Sequence, residues 1–361
     1  MKKTIKLFDP TIGNGEDHAV KKVLSSKFWA SGSGIGQVFE FETKFNDYIG
    51  SDRCIALNSG TAALHLALSL FDIKNKEVIL PSLSFVATAH AVVYNGGIPV
   101  FVDVEPNTLC IDPDMIKKAI TKKTKLVLPV HYGGLPSNLL EIIRLCKEHD
   151  LILVEDAAHA AGATYNEKRI GNHGEAVCFS FHPVKNLAMP TGGAITLNLK
   201  DHKKLESILK SRRWCGISDR TEAKYNVTDI GWNYYMNEFS AAIGIEQLKK
   251  LDANNIKRKK IARYYSDKIE LEAKMPFNKD CSYHLYWIRV KNRDKFRKMM
   301  AEKRIETGIH YLPIHKMKYY NKKYRLPITE AVGESVVTIP IHANLSFDDV
   351  KYITRVINTL I

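Results

Sequence analysis

The segment Cys178-Phe-Ser-Phe-His-Pro-Val-Lys185-Asn186 closes an apolar run on a single lysine. It reads as a buried strand ending at Lys185, followed by a turn through Pro190, Thr191, Gly192 and Gly193 and a second strand from Ala194. An ammonium at a strand end is costly to take out of water unless it is paired, neutral or covalently engaged. One use for such an amine is a Schiff base with pyridoxal phosphate. The other reading is a surface lysine, and the rest of the chain has to decide between them.

Three further stretches carry groups that would suit that chemistry. The short strand Cys54–Leu57 leads into Asn58-Ser-Gly-Thr61 and then a helix-forming run, Ala62–Phe71. Strand, small-residue turn and helix point backbone N–H groups at an anion, so a phosphate could sit on Gly60, Thr61 and Ala62. The same residues also suit a plain helix cap by Ser59 or Thr61. Glu155-Asp156-Ala-Ala-His159 follows an apolar run and sets an acid beside a histidine, while Pro81-Ser-Leu-Ser-Phe85 sets an aromatic ring after hydroxyls. His131, Tyr132, Ser180 and His182 close other apolar runs.

The elements that must position these groups alternate. Strands are expected at Glu77–Leu80, Pro99–Val104, Lys125–Val130, Leu151–Glu155, Ala176–Phe181 and Ala194–Leu197, with helices at Ser84–Tyr94, Asp112–Ala119 and Ser137–His149 between several of them. Alternation of this kind means an α/β layer with a largely parallel sheet, whose ligands sit outside the carboxyl ends of the strands. An acid, a lysine, hydroxyls and an aromatic ring would then converge at one edge. Pyridoxal phosphate needs such a set: a carboxylate for the pyridinium, an amine for the aldehyde, donors for the phosphate and a ring to stack on.

The flanks are read more coarsely. A helical pattern runs from Gly15 to Ser26, and Val38–Ile49 is amphipathic, with Phe39, Phe41, Phe45 and Tyr48 on its apolar face. The glycines in Ala30-Ser-Gly-Ser-Gly-Ile-Gly36 have no strand before them, so a flexible arm or substrate loop is expected there rather than a dinucleotide loop. Beyond Ala241 the composition changes. A long basic helix (Asn237–Ile269), a strand (Ser282–Val290), a helix (Arg293–Arg304), a strand (Val336–Ile341) and a last helix opened by a capping box at Ser346 and Asp349 suggest a smaller α+β lobe. His310, Tyr311 and His315 would lie on a loop of that lobe.

The chain has 361 residues, enough for two lobes, with 45% hydrophobic and 25% charged residues. Its longest apolar run is too short for a membrane span, and no signal-peptide core follows Met1, so a cytoplasmic protein is expected. The six cysteines are scattered without a Cys-x-x-Cys pair, which suggests neither a metal site nor a disulfide framework. The net charge of +14 suits an anionic substrate. Without zinc-finger spacing or a basic-aromatic motif, a nucleic-acid partner is not expected.

Taken in order, the motifs resemble the DegT/DnrJ/EryC1/StrS sugar aminotransferases, a family of fold-type I, the aspartate-aminotransferase-like group. The resemblance rests on Asn58–Leu68, Phe85–Ala89, Pro99–Asp103, Glu155–Ala160, Phe179–Asn186, Gly231–Glu238 and His310–His315. It implies a large domain over residues 1–245 with an N-terminal arm, a small domain over 246–361, and a homodimer with shared active sites. It implies that Lys185 bonds the cofactor and moves protons, that Asp156 pairs with the pyridinium, and that His159 takes the place of a Gln or His beside the ring hydroxyl. Phe85 would stack on the ring, and Gly60, Thr61 and Ser180 would hold the phosphate. Asn233 would reach the phosphate in the neighbouring subunit. His182, His310, Tyr311 and His315 are candidate substrate contacts.

The implied reaction moves an amino group, with glutamate as donor, onto a keto group of a nucleotide-linked deoxysugar. Retention of Lys185 argues against the family's dehydratase branch, which has His in that place. Two positions depart from the family pattern. Pro190-Thr-Gly-Gly193 stands where Gly-Glu-Gly-Gly is common, and Tyr235 where Arg is common. A smaller phosphorylated ketone, such as a ketose phosphate, is therefore an alternative acceptor, and a cofactor-binding regulator without turnover an alternative role.

Overall fold

The computed structural model describes residues 4–221, 224–320 and 324–361. Its large sheet is built from β1 (Arg53–Leu57), β2 (Glu77–Pro81), β3 (Ile98–Val102), β4 (Thr124–Val127) and β5 (Ile152–Asp156). After a short hairpin, β6 (Thr164–Tyr165) and β7 (Lys168–Arg169), come β8 (Ala176–Ser180) and β9 (Gly193–Leu197). The order across the sheet is β1-β9-β8-β5-β4-β2-β3. Pairings from β3 through β8 are parallel, and β9 runs antiparallel to both β1 and β8. β8 and β9 are apolar almost throughout and buried on both faces, as strands covered by helices must be.

The α/β architecture matches the expected class, while several bounds differ. The strand before the lysine ends at Ser180, not at Lys185, because the pairing of Ser180 with Gly193 closes the ladder there. The helix expected from Ser84 starts at Ala87, and the one expected from Ala62 starts at Gly60. Helix Gln37–Ile49 lies over β8 and inserts Phe45 against Phe179 and Phe181, at ring centroid distances of 5.1 and 5.2 Å in edge-to-face contact. All three rings are fully buried. Burying each stabilises the strand that leads to the lysine by roughly 2 kcal/mol.

The helix His202–Arg212 and the hairpin β10 (Ile217–Thr221) and β11 (Lys224–Val227) were not expected from sequence. The long helix Glu238–Lys268 then runs unbroken through position 245, the expected domain limit. It carries the chain into a smaller lobe built on β12 (Tyr286–Arg289) paired antiparallel with β13 (Val336–Ile339) and on the helices Arg293–Glu302 and Phe347–Leu360. The last helix opens on the capping box read from sequence, with Ser346 Oγ accepting the Asp349 N–H and Asp349 Oδ2 accepting the Ser346 N–H, both at 3.1 Å. The N-terminal segment belongs with this lobe, since Ile5 pairs with Ile305. Of the cysteines, all but Cys215 are buried, and all are free thiols. Among the described residues no helix is long and apolar enough to cross a membrane.

Candidate active site

The carboxyl ends of β2, β5 and β8 open on a cavity of about 420 Å³. The phosphate-type turn forms its floor. Ser59 caps helix Gly60–Leu68, its Oγ accepting the Ala62 N–H at 3.1 Å. The expectation that Ala62 helps to hold an anion is thereby corrected, because its amide is already bonded and the residue does not line the cavity. The first amides of a helix have no acceptor within it, so those of Gly60 and Thr61 have no partner in their own helix. The packing around this turn is tight. A Cβ on Gly193 would lie 2.3 Å from the Ser59 carbonyl oxygen, and one on Gly60 would lie 2.7 Å from Ser180 Cβ. The turn, the end of β8 and the start of β9 are thus held as one unit, with the Ser180 side chain beside the turn.

Asp156 is the last residue of β5 and is buried. Its Oδ2 accepts the Thr88 hydroxyl at 2.7 Å and its Oδ1 the Ala158 N–H at 3.1 Å. Thr88 is in turn 2.8 Å from Ser84 Oγ. Burial raises the carboxyl's pKa, and the Thr88 hydroxyl, the Ala158 amide and the charge of Lys185 oppose that rise. A cation in front of Asp156 would complete its ionisation. Behind it, His131 donates its backbone N–H to the Asp156 carbonyl at 3.1 Å. The His131 ring is 2.7 Å from Glu155, with both side chains fully buried. Ser137 N–H donates to His131 Nδ1, so Nε2 carries the proton given to Glu155.

Lys185 lies in the turn after β8, its N–H bonded to the His182 carbonyl at 2.8 Å. Burial pushes its amine down to about 8, against the pull of Asp156. An amine at that value is partly neutral near physiological pH and able to attack an aldehyde. Phe85 stands at the rim, 57% exposed, with its centroid 6.0 Å from that of Tyr311. His159 and Tyr311 meet at 3.0 Å in the cavity wall. His310 also lines the wall; burial and the Lys185 charge push its ring down to about 4.

The cavity therefore gathers Gly60, Thr61, Phe85, Asp156, His159, Ser180, His182, Lys185, His310 and Tyr311. Besides Ala62, two candidates lie outside it. His315 is 99% buried, with Nδ1 2.6 Å from Ser82 Oγ and Nε2 3.3 Å from Glu330 Oε1. Its role is to anchor its loop on the end of β2, which corrects its reading as a substrate contact. Asn233 is exposed, and its carbonyl accepts from the Asn58 side chain at 3.2 Å, so it flanks the Asn58–Thr61 turn without lining the cavity. Thr88, Ser84 and Thr191 were missed as site residues. Thr88 carried a signal, since it falls one helical turn after Phe85.

A family model for the DegT/DnrJ/EryC1/StrS aminotransferase family matches residues 10–358. The chain belongs to that family. It is a pyridoxal-phosphate-dependent aminotransferase. It is 32% identical to the spore coat polysaccharide biosynthesis protein SpsC of Bacillus subtilis, over 98% of this chain and 96% of the relative. Among solved structures it resembles Helicobacter pylori PseC, an aminotransferase of pseudoaminic acid biosynthesis, with a TM-score of 0.93, 27% identity and 99% coverage of both chains. It also resembles the pyridoxal-phosphate form of the sugar aminotransferase Spr1654 from Streptococcus pneumoniae, with a TM-score of 0.93, 26% identity, and 99% and 98% coverage. The aminotransferase's own cavity fits that cofactor, because it pairs a buried carboxylate with an amine of lowered pKa and keeps two helix-start amides beside glycines that admit no side chain.

Proposed function

We propose that this aminotransferase moves an amino group from L-glutamate to a keto group on a nucleotide-linked deoxysugar, in a homodimer with shared active sites. The observation that carries the reading is the Lys185 amine, pushed down to about 8, sharing one cavity with the buried Asp156 carboxylate. The sugar assignment is supported by SpsC and PseC, whose names place them in polysaccharide and pseudoaminic acid biosynthesis. The net charge of +14 favours a phosphorylated acceptor.

Bound pyridoxal phosphate supplies an aldehyde and an electron-withdrawing ring. The chain's residues do the rest. Lys185 would hold the aldehyde end through Nζ, and its amine of lowered pKa would take up and return the proton at the reacting carbon. Asp156, whose charged form the Thr88 and Ala158 hydrogen bonds favour against its burial, would hold a proton at the ring nitrogen. The amides of Gly60 and Thr61 and the hydroxyl of Ser180 bind the phosphate. Phe85 would stack on the ring, and His182, His310 and Tyr311 would border the acceptor. Asn233, exposed beside the turn, reaches the phosphate in the partner subunit.

Borohydride reduction of the yellow holoenzyme should fix the cofactor on the peptide containing Lys185, and Lys185→Ala should take no label and show no turnover. Label on another lysine refutes the mechanism. Amino transfer to a ketose phosphate but to no nucleotide-linked ketosugar refutes the acceptor. Subunits carrying Lys185→Ala and Asn233→Ala, each inactive alone, should regain activity on mixing, because one site of the heterodimer is intact if Asn233 serves its partner. A mixture that stays inactive refutes the shared site.

A further inference from the structure

His159 has a fixed polarity. Its Nδ1 accepts the backbone N–H of Gly133 at 3.2 Å. Burial, reinforced by the charges of Lys185 and His310, holds the ring neutral. Its one ring proton therefore sits on Nε2, and Nε2 lies 3.0 Å from the Tyr311 hydroxyl. The tyrosine oxygen is the acceptor in that bond, so its own proton points away from His159. Among the described residues no side chain or carbonyl accepts it. Burial and the charge of Asp156 hold the hydroxyl in its protonated form.

The pair is built rather than incidental. The two rings lie 19° from parallel. The loop is pinned just before Tyr311: His310 Nδ1 is 2.7 Å from Thr338 Oγ1, Gly308 and Thr338 exchange backbone bonds at 3.0 and 2.9 Å, and the Tyr132 hydroxyl donates to the His310 carbonyl. Tyr311 lines the cavity with Lys185, Asp156 and Phe85.

We propose that Gly133, His159 and Tyr311 form a polarised donor chain, in which the amide sets the histidine tautomer, the histidine sets the tyrosine proton, and Tyr311 presents its O–H to an acceptor oxygen in the cavity. His159, which itself lines the cavity, then also acts as a positioning residue through Tyr311. The inference rests on the reading of this cavity as the place of cofactor and keto sugar. The acceptor is an oxygen with a free lone pair, either the ring oxygen of the cofactor or an oxygen of the sugar.

The test begins without cofactor. In apo-enzyme with 15N-labelled histidine, the His159 signals, assigned by their loss in His159→Gln, should show Nδ1 unprotonated and Nε2 protonated. A proton on Nδ1, or a charged ring, overturns the proposal. In the holoenzyme, Tyr311→Phe removes the O–H and keeps the ring. If the partner is the cofactor's oxygen, the absorption maximum shifts and the cofactor Kd rises about 10-fold without any substrate. If the partner is a sugar oxygen, spectrum and cofactor Kd hold while the acceptor KM rises about 10-fold and the half-reaction with glutamate is unchanged. His159→Gln, which retains one acceptor and one donor, should stay within about 3-fold of the parent, whereas His159→Leu should reproduce the Tyr311→Phe loss. A Tyr311→Phe enzyme unchanged in spectrum, Kd and KM overturns the proposal. Failure of borohydride to label Lys185 would instead remove the cofactor reading while leaving the tautomer result standing.

Discussion

Removing the catalytic amine should make the cofactor-free protein more stable. Burial brings the Lys185 amine from an ordinary 10.5 down to about 8. At pH 7 both folded and unfolded forms carry the charge, and the shift corresponds to about 3 kcal/mol of destabilisation of the folded state. Between pH 8 and pH 10.5 the folded state binds fewer protons than the unfolded, so its stability rises with pH, and by pH 10 the penalty has fallen to about 1 kcal/mol. Lys185→Met keeps the length of the side chain and discards the charge. Part of the gain is offset, because Asp156 loses a neighbouring cation and its carboxyl rises further. The expected net stabilisation at pH 7 is about 2 kcal/mol, shrinking to under about 1 kcal/mol at pH 10. Urea unfolding of the two apo-proteins at matched concentration measures it. A variant less stable than the parent at pH 7, or an advantage equal at both pH values, would refute burial as the origin of the lowered pKa.

Gly193→Ala should push the Ser59 carbonyl out of place, since the new methyl would lie 2.3 Å from it. The expected cost is about 1–3 kcal/mol in stability, with a weakened cofactor Kd read by fluorescence titration. Asp156→Asn keeps partners for Thr88 and Ala158 but cannot carry the charge, so amino transfer should fall about 100-fold or more while the circular dichroism spectrum is unchanged. Glu42→Ala removes the carboxylate that meets Arg213 Nη1 at 2.5 Å, and leaving that fully buried cation unpaired should cost about 3–5 kcal/mol in urea unfolding.

The parallel layer and its functional edge were legible because each apolar run ends abruptly on a residue that a core would reject, such as Asp156. The position of Lys185 within its segment was not. The ladder stops at Ser180 because β9 folds back at Gly193, and the pairing of one strand with a distant one is not written in either alone. Ala62 was misread for a local reason: Ser59 and Thr61 were both sequence candidates for the cap, and only the backbone of Ser59 adopts the extended geometry that a cap requires. His315 was misread for a distant one, since its partner Ser82 lies far away in the chain. The hairpin β10–β11 gave no signal because its strands are largely exposed and show no alternation. The helix His202–Arg212 was hidden in a run of lysines that reads equally well as a solvated loop.

One geometric fact separates chemistry from choice of substrate. Ser180 and Gly193 are ladder partners, so the chain between them is a closed loop whose two ends meet beside the phosphate turn. Lys185 stands on its inner reach, and Thr191, exposed at its return, borders the same cavity. The loop's attachment is set by backbone pairing and does not depend on what Pro190 or Thr191 happen to be. A substitution at Thr191 would therefore reshape the border of the cavity while the amine, the acid and the phosphate turn stay in register.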